Sequence, residues 1–124
     1  MLIVDAANVV GARPDGWWCD RAGAAQRLLT ALSRMVSDDG TDVVLVLEGA
    51  ARKGAVGGLV DGVRVVHAAG SGDDAIVGIV TAAIASGPVT VVTADRGLRE
   101  RVRALGAETM GPRTLWERLA RSDR

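Results

Sequence analysis

Leu2-Ile3-Val4 opens the chain as an uninterrupted apolar run ended by Asp5. Val43 to Leu47 is a longer run of the same kind, as expected of a strand buried on both faces of a parallel sheet. Val63-Arg64-Val65-Val66 and Val89 to Thr93 read as the third and fourth strands, and Ala107 to Met110 as a short fifth. Helical periods lie between them. From Arg21 to Val36, the residues Ala25, Leu28, Leu29, Leu32 and Met35 share one face at 3.6 spacing, with Asp20 placed to cap. Asp73 or Asp74 is placed to cap a helix running to about Ala85, which Ser86-Gly87-Pro88 stops. Arg96 to Leu105 is closed by Gly106, and Pro112 starts a last helix carrying Leu115, Trp116 and Leu119. Gly49 to Gly62 has no clear period and reads as a loop or a weak helix; no helix obviously starts after Asp5. The alternation predicts one α/β domain over residues 1–124, with three layers and a parallel central sheet.

Composition narrows the core and leaves the partners open. Apolar residues make up 48% of the 124, yet Phe and Tyr are absent, so Val, Leu, Ile and Ala must build the interior. Fifteen basic groups balance fifteen acidic ones, which argues against a uniformly basic polyanion binder and an acidic disordered tail. The distribution is uneven. Residues 96–124 hold eight arginines against four acids, a surplus of +4, and the rest of the chain carries 7 basic and 11 acidic groups, or −4. Cys19 stands alone, so no intramolecular disulfide forms. No apolar run approaches the ~18 residues of a membrane span, and the N-terminal residues lack the pattern of a signal peptide. The expectation is a cytoplasmic protein without a membrane segment.

Ligands of open parallel sheets bind outside the carboxyl ends of the strands. Asp5 follows the first strand, with Asn8 three residues on; Glu48 follows the second; Asp73 and Asp74 follow the third across Gly70-Ser71-Gly72; Asp95 follows the fourth, preceded by Thr93. Two such charges about 4 Å apart repel by roughly 4 kcal/mol at an effective dielectric near 20. A divalent cation relieves this, and hard oxygen donors without paired His or Cys favour Mg²⁺ or Mn²⁺. Metal-assisted phosphodiester hydrolysis is the chemistry that follows. Each residue also has an ordinary role: Asp73, Asp74 and Asp95 stand where helices begin and suit N-caps, Glu48 suits a solvated strand end, and Asn8 suits an Asx turn. It is the coincidence of four strand ends that favours a site.

Other candidates flank that rim. Trp17 and Trp18 sit in a loop beside it, either to stack on unpaired bases or to cover the sheet edge or a dimer contact. Arg96, Arg99 and Arg103, with Arg52 and Lys53, are placed to reach phosphates; the ordinary reading is a solvated face with an Arg96–Glu100 pair. Thr93 and Ser71 offer hydroxyls to carboxylates, backbone or phosphate. His67, without a partner in sequence, reads as structural, and Trp116 as packing.

The segments Leu2-Ile3-Val4-Asp5-Ala6-Ala7-Asn8, Gly72-Asp73-Asp74-Ala75-Ile76 and Val91-Val92-Thr93-Ala94-Asp95-Arg96 resemble the NYN branch, YacP-like, of the PIN-like nuclease superfamily. The resemblance spans nearly the whole chain, on short motifs in order. It implies strand order 3-2-1-4-5, metal-site acids at Asp5, Asp73 and Asp95, an accessory acid at Asp74, and the family Asn at Asn8. Glu48-Gly49 is similar to the family's Asp-Gly with Glu for Asp, and Ala6 stands where Gly is usual. Implied further are a metal-dependent ribonuclease, an RNA substrate and, for some relatives, an inhibitory or activating protein partner. A homodimer, a non-catalytic RNA-binding or regulatory module, and a small-molecule phosphohydrolase remain open.

Overall fold

The computed structural model describes residues 1–13, 16 and 18–122. Trp17 lies outside them. β1 (Leu2–Asp5) is buried along its whole length, between the parallel strands β2 (Val43–Leu47) and β5 (Thr90–Val92). An antiparallel edge strand, β3 (Gly58–Val60), pairs with β4 (Val63–His67), which lies parallel to β2. β6 (Glu108–Met110) lies parallel to β5, and the full order is β3-β4-β2-β1-β5-β6. Without β3, this is the expected 3-2-1-4-5.

The edge hairpin corrects the reading of residues 49–62. Gly49–Gly54 forms a 3₁₀ turn and β3 follows it. Asp61 and Gly62, at φ 48° and 85°, make the two-residue turn into β4. Two consecutive positive φ values suit the primed hairpin turns, for which Asp-Gly between apolar runs is the sequence signal. A short polar-flanked strand shows no periodicity of its own, so that dipeptide was its only mark.

Alternation along the strands divides the interior in two. Leu2, Val4, Val43, Leu45 and Leu47 face α1 (Ala6–Gly11), α2 (Arg21–Asp39) and α5 (Pro112–Ser122). Ile3, Val44, Val46 and Val91 face α3 (Gly72–Ala83) and α4 (Arg96–Ala104). The apolar face expected of α2 is buried as read, its Asp20 accepting from Gly23 N at 2.8 Å and Gly40 ending it at φ 70°. α1 is a further correction: a helix does begin directly after Asp5. At six residues it is too short for a hydrophobic period to reveal.

α3 begins at Gly72 and gives way to a 3₁₀ turn at Ile84–Ser86. Its N-cap is Ser71, whose hydroxyl accepts from Asp74 N at 3.2 Å. The capping role read for Asp73 and Asp74 is therefore overturned: both lie in the first turn, inside the cap. Asp95 does cap α4, accepting from Leu98 N at 2.8 Å. Trp116 packs as expected, with its Nε1 donating to Val9 O at 2.8 Å and the Arg13 guanidinium 4.4 Å over its ring. His67 Nε2 lies 2.8 Å from Ala55 O, a contact consistent with a structural role.

Candidate functional site

Parallel pairing brings the ends of β1, β2, β4 and β5 to one edge, and the acids follow them there. Asp5 is the best built. It is 3% exposed, although it is a carboxylate at a strand end. It occupies the position before α1 but makes no side-chain cap bond. Its Oδ2 instead accepts from Asn8 Nδ2 at 2.9 Å and from Thr93 Oγ1 at 2.9 Å. Asn8 thus orients an acid, one of the two roles read for it, and its Oδ1 accepts from Ala94 N at 3.3 Å. Thr93 is fully buried and also accepts from Asp95 N at 3.1 Å.

Burial pushes the Asp5 carboxyl up from its ordinary value, against the hydrogen bonds from Thr93 and from the side chain and backbone of Asn8 that lower it; nearby Asp73 adds to the rise. Asp73 is raised as well, first by desolvation and then by the charges of Asp95 and Glu48, with Asp74 adding and Arg101 opposing. Asp73 is therefore close enough to Asp5, Glu48 and Asp95 to couple to them through charge. Glu48 Oε2 accepts from Gly72 N at 2.9 Å, which ties the end of β2 to the first turn of α3. Asp74 pairs with Arg101 at 3.1 Å across to α4.

The donor set is all carboxylate and hydroxyl oxygen, which suits a hard divalent cation. Among the described residues, no three His, Cys, Asp or Glu side chains are already drawn together as a metal-holding group. The acids converge in charge without meeting in a coordination sphere.

The basic candidates divide. Arg96 is exposed at the start of α4, and it forms no pair with Glu100 among the described residues. Arg99 and Arg103 both turn to β6, where Thr109 Oγ1 accepts from Arg99 Nε at 3.4 Å and from Arg103 Nη2 at 2.7 Å. The face read as solvated is exposed at Arg96, Glu100 and Arg103, and through Arg99 and Arg103 it also latches α4 to β6. Arg52 bonds back to Gly49 O and Ala68 O, at 3.2 and 3.4 Å. Trp18 is 60% exposed in the loop after α1. Missed by sequence reasoning were Ala7, Ala51 and Arg21, which border a cleft beside Glu48; alanines carry no chemical signal in sequence.

No helix among the described residues is long and apolar enough to cross a membrane. The sequence matches the family model of the YacP-like NYN domain over residues 2–124. The fold is similar to the crystal structure of Rae1 (YacP) from Bacillus subtilis, at TM-score 0.81 and 20% identity, over 100% of this chain and 75% of that one. A mutant of that protein aligns at TM-score 0.80 and 21% identity, over 99% and 76%. No curated protein matches the sequence.

Proposed function

The chain belongs to the YacP-like NYN domains, a PIN-like nuclease family, and from that premise we propose that it is a divalent-metal-dependent ribonuclease acting in the cytoplasm. The observation that carries the reading is Asp5: a buried carboxylate at the end of the central strand, held by Asn8 and Thr93 and not spent on capping the helix beside it. Asp5, Asp73 and Asp95 would hold Mg²⁺ or Mn²⁺, with Glu48 and Asp74 in support. Bound there, the ion supplies a water of lowered pKa and neutralises charge on a phosphoryl oxygen.

The chain's own residues have separable tasks. Asn8 and Thr93 fix the rotamer of Asp5, so that its free lone pairs keep one direction. Asp95 keeps its carboxylate at the rim by capping α4 through Oδ1. Glu48 holds the first turn of α3, and with it Asp73, against the end of β2. Arg96, exposed beside Asp95, would meet a phosphate of the RNA.

A second reading, a non-catalytic RNA-binding module, draws on the acids not being gathered into a three-ligand group. RNA cleavage with Mn²⁺ or Mg²⁺, wild type against Asp5→Asn, separates the two. The nuclease reading expects activity that EDTA abolishes and that Asp5→Asn lowers at least about 100-fold, the scale of losing a charge-stabilising group. Equal cleavage by both proteins defeats it.

A further inference from the structure

A cleft of about 360 Å³ opens beside Glu48, on the side of the rim facing α2. Val10 and Ala51 present its apolar walls, backed by the buried Ala6 and Ala25, and Ala7 stands at its mouth. Glu48 and Arg21 are the charged residues bordering it. Its position follows from the chain path: α1 leaves the rim right after Asp5, the 3₁₀ turn leaves right after Glu48, and the cleft is the gap between these two departures.

Size and chemistry restrict the occupant. The volume is near the lower bound of small-molecule sites, about 300–1,000 Å³, and suits one small planar group. A phosphate is a poor guest, since apart from Arg21 at the border the side chains offer it only apolar walls and the Glu48 carboxylate. A nucleobase is a good one. Its faces lie against methyl groups, and its edge offers donors to a carboxylate, which accepts at about four lone-pair sites and uses Oε2 once for Gly72 N. Glu accepting from the exocyclic amine of cytosine is an established geometry of base recognition.

We propose that this cleft is a nucleobase subsite that seats one unpaired, amine-bearing base of the RNA, with Glu48 as the acceptor at its edge. The proposal rests on the rim being the site of RNA cleavage and names part of its substrate. A base seated between α1 and the 3₁₀ turn is unavailable for pairing, so the subsite selects single-stranded segments. Uracil fits less well, because two carbonyl oxygens flank its one ring N–H and face the carboxylate.

The test uses binding without hydrolysis. The whole protein, with ¹³C-labelled alanine methyls and in EDTA, is titrated with cytidine, adenosine, uridine and ribose 5-phosphate by NMR. Cytidine and adenosine should shift the Ala6, Ala7, Ala25 and Ala51 methyls. Uridine should bind about tenfold more weakly, the scale of one hydrogen bond to a charged group. Ribose 5-phosphate should leave those methyls in place. Ala51→Leu, or Ala7→Leu where the first does not fold, should abolish the shifts at the remaining alanines. A protein that cuts RNA yet shows no methyl shift with any nucleoside overturns the subsite. So does one whose same methyls respond equally to ribose 5-phosphate, and an equal response to uridine overturns the role of Glu48. Nucleoside shifts in a protein that cuts no RNA support the subsite and defeat the nuclease reading instead.

Discussion

Thr93 joins two strand ends through one hydroxyl: Oγ1 donates to Asp5 Oδ2 at 2.9 Å and accepts from Asp95 N at 3.1 Å. The two acids are 90 positions apart in sequence, and the hydroxyl fixes both the direction of Asp5 and the entry of the chain into α4. Thr93→Val keeps the shape and removes both bonds. It leaves a buried carboxylate short of a donor, so it should cost about 1–3 kcal/mol of stability. It should also weaken Mn²⁺-dependent cleavage, while Thr93→Ser retains most of both. Urea melts and RNA cleavage on the two variants check this, and a Val variant as stable and active as the Ser variant would contradict it.

Asp5 sets the pH dependence. Its carboxyl is held above the ordinary 3.8 by burial, so the folded chain keeps a proton that the unfolded chain has released. Between the two values the folded state binds more protons, and stability falls as pH rises. The contribution is full at low pH and lost as pH climbs through the folded value, the reverse of an ion-paired Asp. Asp5→Asn carries no charge to desolvate. In EDTA near neutral pH it should be more stable than wild type, by about 1 kcal/mol, the usual size of such function-for-stability exchanges. The advantage should shrink as pH falls through the folded value and be gone below about 4, where unfolded Asp is protonated too. Mg²⁺ should raise the melting temperature of wild type alone. Thermal melts with and without Mg²⁺ at several pH values decide it.

The parallel alternation and the acidic rim were legible because each of these strands is a short apolar run whose end is marked by a polar residue, whereas the strand order came from the family resemblance. Parallel pairing then fixes which ends meet. Three features were not legible, each for a local reason. α1 is shorter than two turns, so no period betrays it. Ser71 outcompetes Asp73 and Asp74 as a cap because it sits immediately before the first helical residue. Arg99 and Arg103 look solvated on a helical wheel, yet α4 runs beside β6 and presents Thr109 to both. Helical spacing names a face but not the neighbour it meets.

Two glycines of α3 should answer the same substitution differently. Helix-interior Gly→Ala normally stabilises by about 0.5–1 kcal/mol. At Gly78 a methyl would meet nothing within 4 Å, so Gly78→Ala should gain that amount. At Gly72 a methyl would lie 3.2 Å from the Glu48 carboxyl, which also accepts the Gly72 N–H. Gly72→Ala should gain nothing and should weaken metal binding by moving Glu48. Denaturation curves and a Mn²⁺ titration of both variants test the contrast.

Gly54 is where the 3₁₀ turn docks on α2. A Cβ there would fall on the Ala22 carbonyl oxygen and press on the Ala25 methyl at 3.0 Å. The first obstacle is backbone, which cannot rotate aside as the Glu48 carboxyl can. The turn must therefore lift, and overpacking of this kind costs about 1–3 kcal/mol. The turn also carries Ala51, so lifting it moves one wall of the cleft while leaving Asp5, Thr93 and Asn8 in place. Gly54→Ala should then lower stability and weaken nucleoside binding more than Mn²⁺ binding. Gly54→Ser should behave the same, since its Cβ meets the same carbonyl. A Gly54→Ala protein with unchanged urea midpoint would show that the turn does not depend on this contact.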